Sequence, residues 1–422
     1  MEFNTGDTAW VLTSSALVMF MTPGLALFYG GMVRSKNVLS MLMQNFFSLG
    51  LVSVLWAAFV FSLAFGPDKG GIIGGLDLAG LSDLLTSQAP GFEALTIPPL
   101  LFMAYQMMFA VITPALITGA IADRMKFSAF VLFLGLWLVL VYAPVAHWVF
   151  SPAGWLFELG ALDFAGGTVV HINAGVAALA LVIVLGKRRG WPDEQMHPHS
   201  LPLTLIGTGI LWFGWFGFNA GSALGSNGLA AQAFVNTHLA AAAGMLGWMV
   251  AERLKSSHAT TLGAASGAVA GLVAITPCAG FVSGMAPIAI GAIAGVLCFL
   301  AVSLKFRFGY DDSLDVVGVH LVGGVTGSLL LGLFADATVL GVGRDGVFFG
   351  GGWGLFGDQS VAVGATLVYS FIVTLIIAVV LKLVLPGGIR ASEEDEVTGL
   401  DLTQHSETAY SASEHGAMAR EH

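Results

Sequence analysis

Apolar residues run through this chain in long blocks, without the period-two alternation of a half-buried strand. A bilayer core about 30 Å thick needs about 20 apolar helical residues per crossing. Stretches of that length predict helices over 9–33, 38–65, 96–121, 127–150, 164–186, 200–223, 229–251, 257–277, 284–304, 316–335 and 361–385. Two uncharged stretches are long enough for two crossings each. Residues 195–251 break at Ser226-Asn227-Gly228, and residues 256–304 break between Pro277 and Gly284. The pattern therefore predicts eleven helices.

Composition narrows the class. Of 422 residues, 56% are apolar and 10% charged, and the mean hydropathy is +0.85. Soluble domains run about 45–50% apolar and about 25% charged. The expected class is an all-α polytopic membrane protein. Lys and Arg total 16 against 26 acids, and no basic cluster exceeds Lys187-Arg188-Arg189, which argues against nucleic acid as a partner. The two cysteines, Cys278 and Cys298, both lie in apolar runs and read as packing residues.

Basic residues set the expected orientation, because cytoplasmic loops retain them. The odd-numbered loops hold Arg34, Lys36, Arg124, Lys126, Lys187, Arg188, Arg189, Arg253, Lys255, Lys305 and Arg307, eleven of the 16. The even-numbered loops hold only Lys69 and Arg344. The N-terminus is then expected outside and the C-terminus in the cytoplasm. Met1–Asp7 is acidic and leads directly into the first apolar block, so no signal peptide is expected. The expected organisation is a membrane domain over 1–385 and a cytoplasmic tail over 386–422. The tail carries eight acids, including Glu396, Asp401, Glu414 and Glu421, and two arginines, Arg390 and Arg420. A solvated, partly disordered end is the plainer reading, and a contact with a cytosolic partner the sharper one.

Polar residues inside the blocks point to function. Ionisable side chains at membrane depth are costly and face a bundle interior or a pathway. The spans hold almost no carboxylate, lysine or arginine at depth, but they hold His171, His238 and His320, with His147 near the end of helix four. A lone buried histidine is ordinarily a hydrogen-bonded structural residue. His171 and His320 differ in that their settings repeat: Asp163-Phe-Ala-Gly-Gly-Thr-Val-Val-His171 and Asp315-Val-Val-Gly-Val-His320. Each falls in the fifth helix of a five-helix block, over about 9–186 and about 200–335. Five is odd, so the second block is expected inverted, with a substrate site at the interface near the midplane. Two neutral imidazoles there suit a small amine that can shed a proton. Asp163 and Asp315 each precede a helix and are expected to cap it. Asp163 could also favour arriving cations. A histidine-held metal is the competing use, without a carboxylate or thiolate at matching depth.

At these residues the chain resembles the ammonium transporter (Amt/Mep/Rh) family, in its bacterial Amt branch. The likeness rests on the Asp163-to-His171 and Asp311-Asp-Ser-Leu-Asp315-to-His320 segments, and on Trp215-Phe-Gly-Phe218-Asn-Ala-Gly-Ser222. Phe109-Ala-Val-Ile-Thr-Pro and Gly399-Leu-Asp-Leu-Thr-Gln-His add to it. It implies a homotrimer with a narrow apolar pore in each subunit. By resemblance, Phe109 and Phe218 are stacked rings closing the outer end, and His171 and His320 line the pore. Ser222 gives the hydroxyl of an outer recruitment site, and Trp215 a wall beside the histidines. One departure stands out: after Pro144-Val-Ala-His147-Trp-Val comes Phe150, where the family usually has tryptophan. Phenylalanine is the weaker cation–π partner, so either recruitment is weaker or Phe150 serves in a reduced form. Trp148 does not substitute, since residues two apart on a helix face different ways.

The expected activity is movement of NH4⁺/NH3 across the cell membrane. Ammonium would be drawn in by Ser222, Phe109 and Phe150, lose its proton before the rings, and pass the histidines as NH3. Alternatives are an ammonium sensor with little flux, a Rh-like NH3/CO2 channel, and a metal transporter. No cofactor is expected, and no enzyme: neither a nucleophile–base arrangement nor a phosphate loop is present. The resemblance also implies a possible PII (GlnK-type) regulatory partner on the cytoplasmic face, and a tail that couples neighbouring subunits.

Overall fold

A computed structural model describes residues 3–338 and 341–410. Among them, ten helices are long and apolar enough to cross a membrane. They are α1 (Thr5–Met32), α2 (Ser35–Phe65), α3 (Pro99–Ile121), α4 (Phe127–Leu159, with a turn after Phe150), α5 (Gly167–Leu185), α6 (Leu201–Ala223), α7 (Gly228–Ser256), α9 (Ala286–Phe308), α10 (Val317–Phe334) and α11 (Gly354–Val384). The remaining block forms α8 (Thr261–Ile275), apolar but only 15 residues long. Phe213, Leu246, Val250, Val368 and Ile376 point outward from the bundle, where a soluble protein would carry charge.

Glycine explains how closely the helices approach. A Cβ on Gly207 of α6 would lie 2.3 Å from the backbone nitrogen of Phe28 in α1. One on Gly271 of α8 would lie 2.1 Å from the Ala240 carbonyl oxygen in α7. Backbones at this distance exclude any side chain, as in other small-residue membrane interfaces.

The bundle has two polar faces. On the N-terminal face, the Ser226 amide donates to Asp7, and the Asn4 amide to the Thr96 carbonyl. A short hairpin of β1 (Asp68–Lys69) and β2 (Ile73–Gly74) lies there against the end of α4. On the opposite face the basic loops meet the tail. Arg34 pairs with Asp123, and Arg188 makes a two-pronged contact with Asp311. Buried Arg124 donates to the carbonyls of Ala120, Ala122, Gly186 and Asp311.

The tail is not a solvated end as far as residue 405. Two short helices, α12 (Glu393–Thr398) and α13 (Leu400–His405), pack onto this face. Lys36 Nζ donates to the Glu396 and Val397 carbonyls, Arg390 pairs with Glu396, and Asp401 accepts the Ser40 amide near the start of α2. Two of the carboxylates that looked like solubilising charge in the sequence are used here, Glu396 by the Arg390 guanidinium and Asp401 by a helix N-terminus. Glu414, Arg420 and Glu421 lie outside the described residues.

Candidate functional site

Both repeated histidine settings open on a π-helical turn. His171 sits in the turn Gly167–Ile172 of α5, its amide reaching back to the Gly166 carbonyl at 3.1 Å, and His320 sits in the turn Val317–Leu321 of α10. Such turns are rare and concentrate at functional sites. The Asp163 carboxylate accepts from the amides of Gly166, Gly167 and Thr168 at 2.7–2.8 Å and from the Thr168 hydroxyl. It caps α5 as expected.

Asp315 does not cap α10. Its carboxylate pairs with Lys305 at 2.7 Å, and Asp312 accepts the Val317 amide instead, also at 2.7 Å. The spacing carries the reason. Asp163 precedes His171 by eight residues, and Asp312, not Asp315, precedes His320 by eight. Burial and then the charge of Asp315 push the Asp312 carboxyl up to about 6.

α5 and α10 cross at these turns with reciprocal contacts. Gly175, four residues after His171, faces Leu321, and Gly324, four after His320, faces Ile172. The crossing brings the two Nδ1 atoms to 3.2 Å, with ring planes 17° apart. A nitrogen–nitrogen hydrogen bond needs one donor and one acceptor, so the facing atoms share a single proton. His171 Nε2 is buried without a hydrogen-bond partner among the described residues.

Aromatic rings continue from the histidines. Trp215 lies nearly parallel to His171 (19°), its indole N–H donating to Thr276 at 2.9 Å, and Phe218 packs on both. Phe109 meets Phe218 with centroids 4.4 Å apart. Beyond them, half-buried Ser222 donates to the Phe218 carbonyl at 2.9 Å. Buried Tyr105 donates to the carbonyls of Gly217 and Phe218 and lies 3.1 Å from the Ser222 hydroxyl. The cavity at the histidines has about 10 Å³ open to a water-sized molecule. No charged side chain is among its lining residues, which include Leu25, Ile112, Leu211, Trp215 and Phe218.

The crossing thus gathers Phe109, Phe218, Trp215, His171 and His320 in one file, with Ser222 above and Asp163 capping behind. Phe150 stands apart: it is half-buried at the end of α4, and no ring contact joins it to Phe109 or Phe218 among the described residues. Trp148 turns away, its indole N–H on the Ile72 carbonyl and its ring against Trp155 and Tyr369. His238 faces outward beside Trp212 and Phe216. Tyr105, Thr276 and Asp312 escaped sequence reasoning. Of these only Asp312 left a signal, its spacing.

Residues 9–410 match the Ammonium Transporter Family. An ammonium transporter of Bacillus subtilis is 54% identical over 406 residues, spanning 96% of this chain and 98% of the relative. One from Mycobacterium tuberculosis is 53% identical over 432 residues, spanning 96% and 90%. The crystal structure of Candida albicans Mep2 superposes with a TM-score of 0.87 at 37% identity, covering 93% of this chain and 88% of that one. Family match, sequence identity and fold agree over nearly the full length, and the chain belongs to the ammonium transporter family.

Proposed function

We propose that the protein moves ammonium across the cell membrane by deprotonating it at an outer site and conducting ammonia past His171 and His320. The observation that carries this reading is the contact of two buried imidazoles in a cavity lined by apolar side chains. A cation entering there would lose its hydration without gaining a fixed counter-charge, a cost of many kcal/mol. Ammonium can avoid it by leaving its proton behind, and potassium cannot. The unpartnered Nε2 of His171 offers a neutral amine one polar contact inside the dry segment.

In this reading the N-terminal face is extracellular and the tail face, with its basic loops, cytoplasmic. α8 serves as an eighth crossing, completed by the turns after Ile275. The inverted arrangement of 9–186 and 200–335 is supported by the mirrored Gly175–Leu321 and Gly324–Ile172 contacts. Ser222, Phe109 and Phe150 receive the cation, Phe109 and Phe218 close the entrance, Trp215 walls the histidines, and Asp163 holds the α5 turn. Residues 386–422 form a cytoplasmic tail. The assembly is a homotrimer, and a PII-type protein is the proposed cytoplasmic partner.

The test is ammonium-evoked current and methylammonium uptake by purified protein in liposomes, with potassium as competitor. Uptake that potassium does not suppress is expected. Current lost in His171→Asp while ammonia flux persists would assign a proton relay to the pair. Equal permeation of potassium, or no flux at all, would overturn the reading, the latter in favour of a sensor.

A further inference from the structure

Helix α8 ends after 15 residues, and the residues that end it meet the pathway. Pro277 has no N–H to extend the helix, and the Thr276 amide turns back to the Val273 carbonyl at 3.3 Å. The break is keyed to α5. A Cβ on Gly167, in the His171 turn, would lie 2.5 Å from Pro277 Cγ, and the Pro277 carbonyl accepts the Phe164 amide at 3.1 Å. Thr276 is fully buried there. Its hydroxyl donates to the Leu272 carbonyl at 2.7 Å, so its one proton is committed and the oxygen faces Trp215 as an acceptor. The indole, which can only donate, reaches it at 2.9 Å.

That bond decides which edge of Trp215 the pathway sees. Trp215 lines the cavity at the histidines and Thr276 does not, so the indole N–H points out of the cavity. Among the described lining residues, the imidazoles of His171 and His320 are then the hydrogen-bonding side-chain groups that remain. The Trp215 ring lies 5.4 Å from that of His171 at an angle of 19°, and Phe218 packs on it with centroids 5.5 Å apart. A buried N–H without an acceptor is costly, so an indole released from Thr276 would turn to another. When the shared proton sits on His171 Nδ1, His171 Nε2 is an unpartnered acceptor on the neighbouring ring. Ammonia, through its lone pair, is the other.

We propose that Thr276 is a positioning residue of the dry segment: it takes the indole N–H out of the cavity, holds Trp215 parallel to His171 and leaves the wall facing ammonia without a donor. This rests on the transport reading above and adds a requirement to it. A donor turned into a cavity of about 10 Å³ either occupies the imidazole nitrogen or retains the passing molecule. Both slow passage. Neither reaches Ser222 or Phe109, which lie beyond Phe218, so capture of the cation is not weakened.

The test is methylammonium uptake into liposomes holding full-length variants, normalised to folded protein. Thr276→Val removes the acceptor with little change of shape, and Thr276→Ser keeps it. In Thr276→Val, Vmax is expected to fall about tenfold or more, with KM no higher than in the wild type. In Thr276→Ser, Vmax is expected to stay within about twofold of the wild type. Trp215→Phe has no N–H to hold, so adding Thr276→Val to it is expected to change Vmax by less than about twofold. Wild-type Vmax in Thr276→Val would overturn the proposal. So would an equal loss in Thr276→Ser, or a full further loss in the double variant, since either places the effect in packing. If Thr276→Val does not fold alone, it is expected to fold in the Trp215→Phe background, where no indole N–H is left unpaired, and failure there too would sink the proposal. If Trp215→Phe alone halts uptake, the comparison of valine with serine decides. Absence of uptake by the wild type would instead refute the transport reading.

Discussion

Gly175→Ala tests whether the histidine contact depends on backbone crossing. An added Cβ would lie 2.4 Å from the Leu321 amide nitrogen and 2.7 Å from its Cα, both backbone atoms that cannot rotate away. Ordinary van der Waals contact begins at 3.4 Å, so α5 and α10 must part by about 1 Å. The Nδ1 atoms start 3.2 Å apart. Parting of that size takes them past about 3.5 Å, beyond a hydrogen bond. Two terms nearly cancel in stability. Alanine gains about 1 kcal/mol of helix propensity over glycine, and overpacking costs about 1–3 kcal/mol. The net loss of about 0–2 kcal/mol leaves the protein folded. Transport has no such compensation, and misplacement by about 1 Å can cost about 100-fold in rate. Gly324→Ala is the milder control, since its Cβ would lie 2.9 Å from the Ile172 side chain and 3.0 Å from the nearest backbone atoms, the Gly167 oxygen and the Ile172 nitrogen, a smaller overlap than at Gly175. The assay is methylammonium uptake normalised to folded protein, with thermal melting in detergent alongside. Wild-type uptake by Gly175→Ala would refute the reasoning, and so would equal losses in both variants.

Other outcomes follow from the same geometry. On the proposed recruitment role of Phe150, Phe150→Trp supplies a stronger cation–π face, and KM for methylammonium should fall about two- to tenfold at constant Vmax. Arg188→Met leaves Asp311 buried without its two-pronged partner; a loss of about 3–5 kcal/mol is expected, read as a lower melting temperature. Burial pushes the Asp311 carboxyl up, but hydrogen bonds from Arg188 and the charges of Arg124 and Arg188 outweigh it, leaving it below its ordinary value. A depressed carboxyl adds stability above the unfolded value near about 3.9 that is lost as pH falls through the folded one. Melting temperature should therefore drop on acidification below about pH 4, and Arg188→Met should flatten that drop.

Site residues were legible in the sequence to different degrees. The likeness of the Asp163 and Asp315 settings singled out His171 and His320, because a repeated local environment is a local property. The same comparison chose the wrong aspartate in the second setting. Proximity to the helix pointed to Asp315, whereas the count of eight residues back from each histidine pointed to Asp312, which does the capping. Tyr105 and Thr276 left no mark, since each acts on a partner far along the chain: Tyr105 on carbonyls near 217, and Thr276 on Trp215.

The blocks of apolar residues, their number and the bias of lysine and arginine between loops belong to the sequence alone. Each depends on the cost of placing charge in hydrocarbon, a property of single residues and short windows. Which glycines let backbones touch, which carboxylate caps which turn, and how residues 393–405 lie against Lys36 and Arg390 were decided only by tertiary structure. Those depend on distances of 2–4 Å between positions up to 363 apart. No window of the chain encodes such distances without the packing of all the helices together.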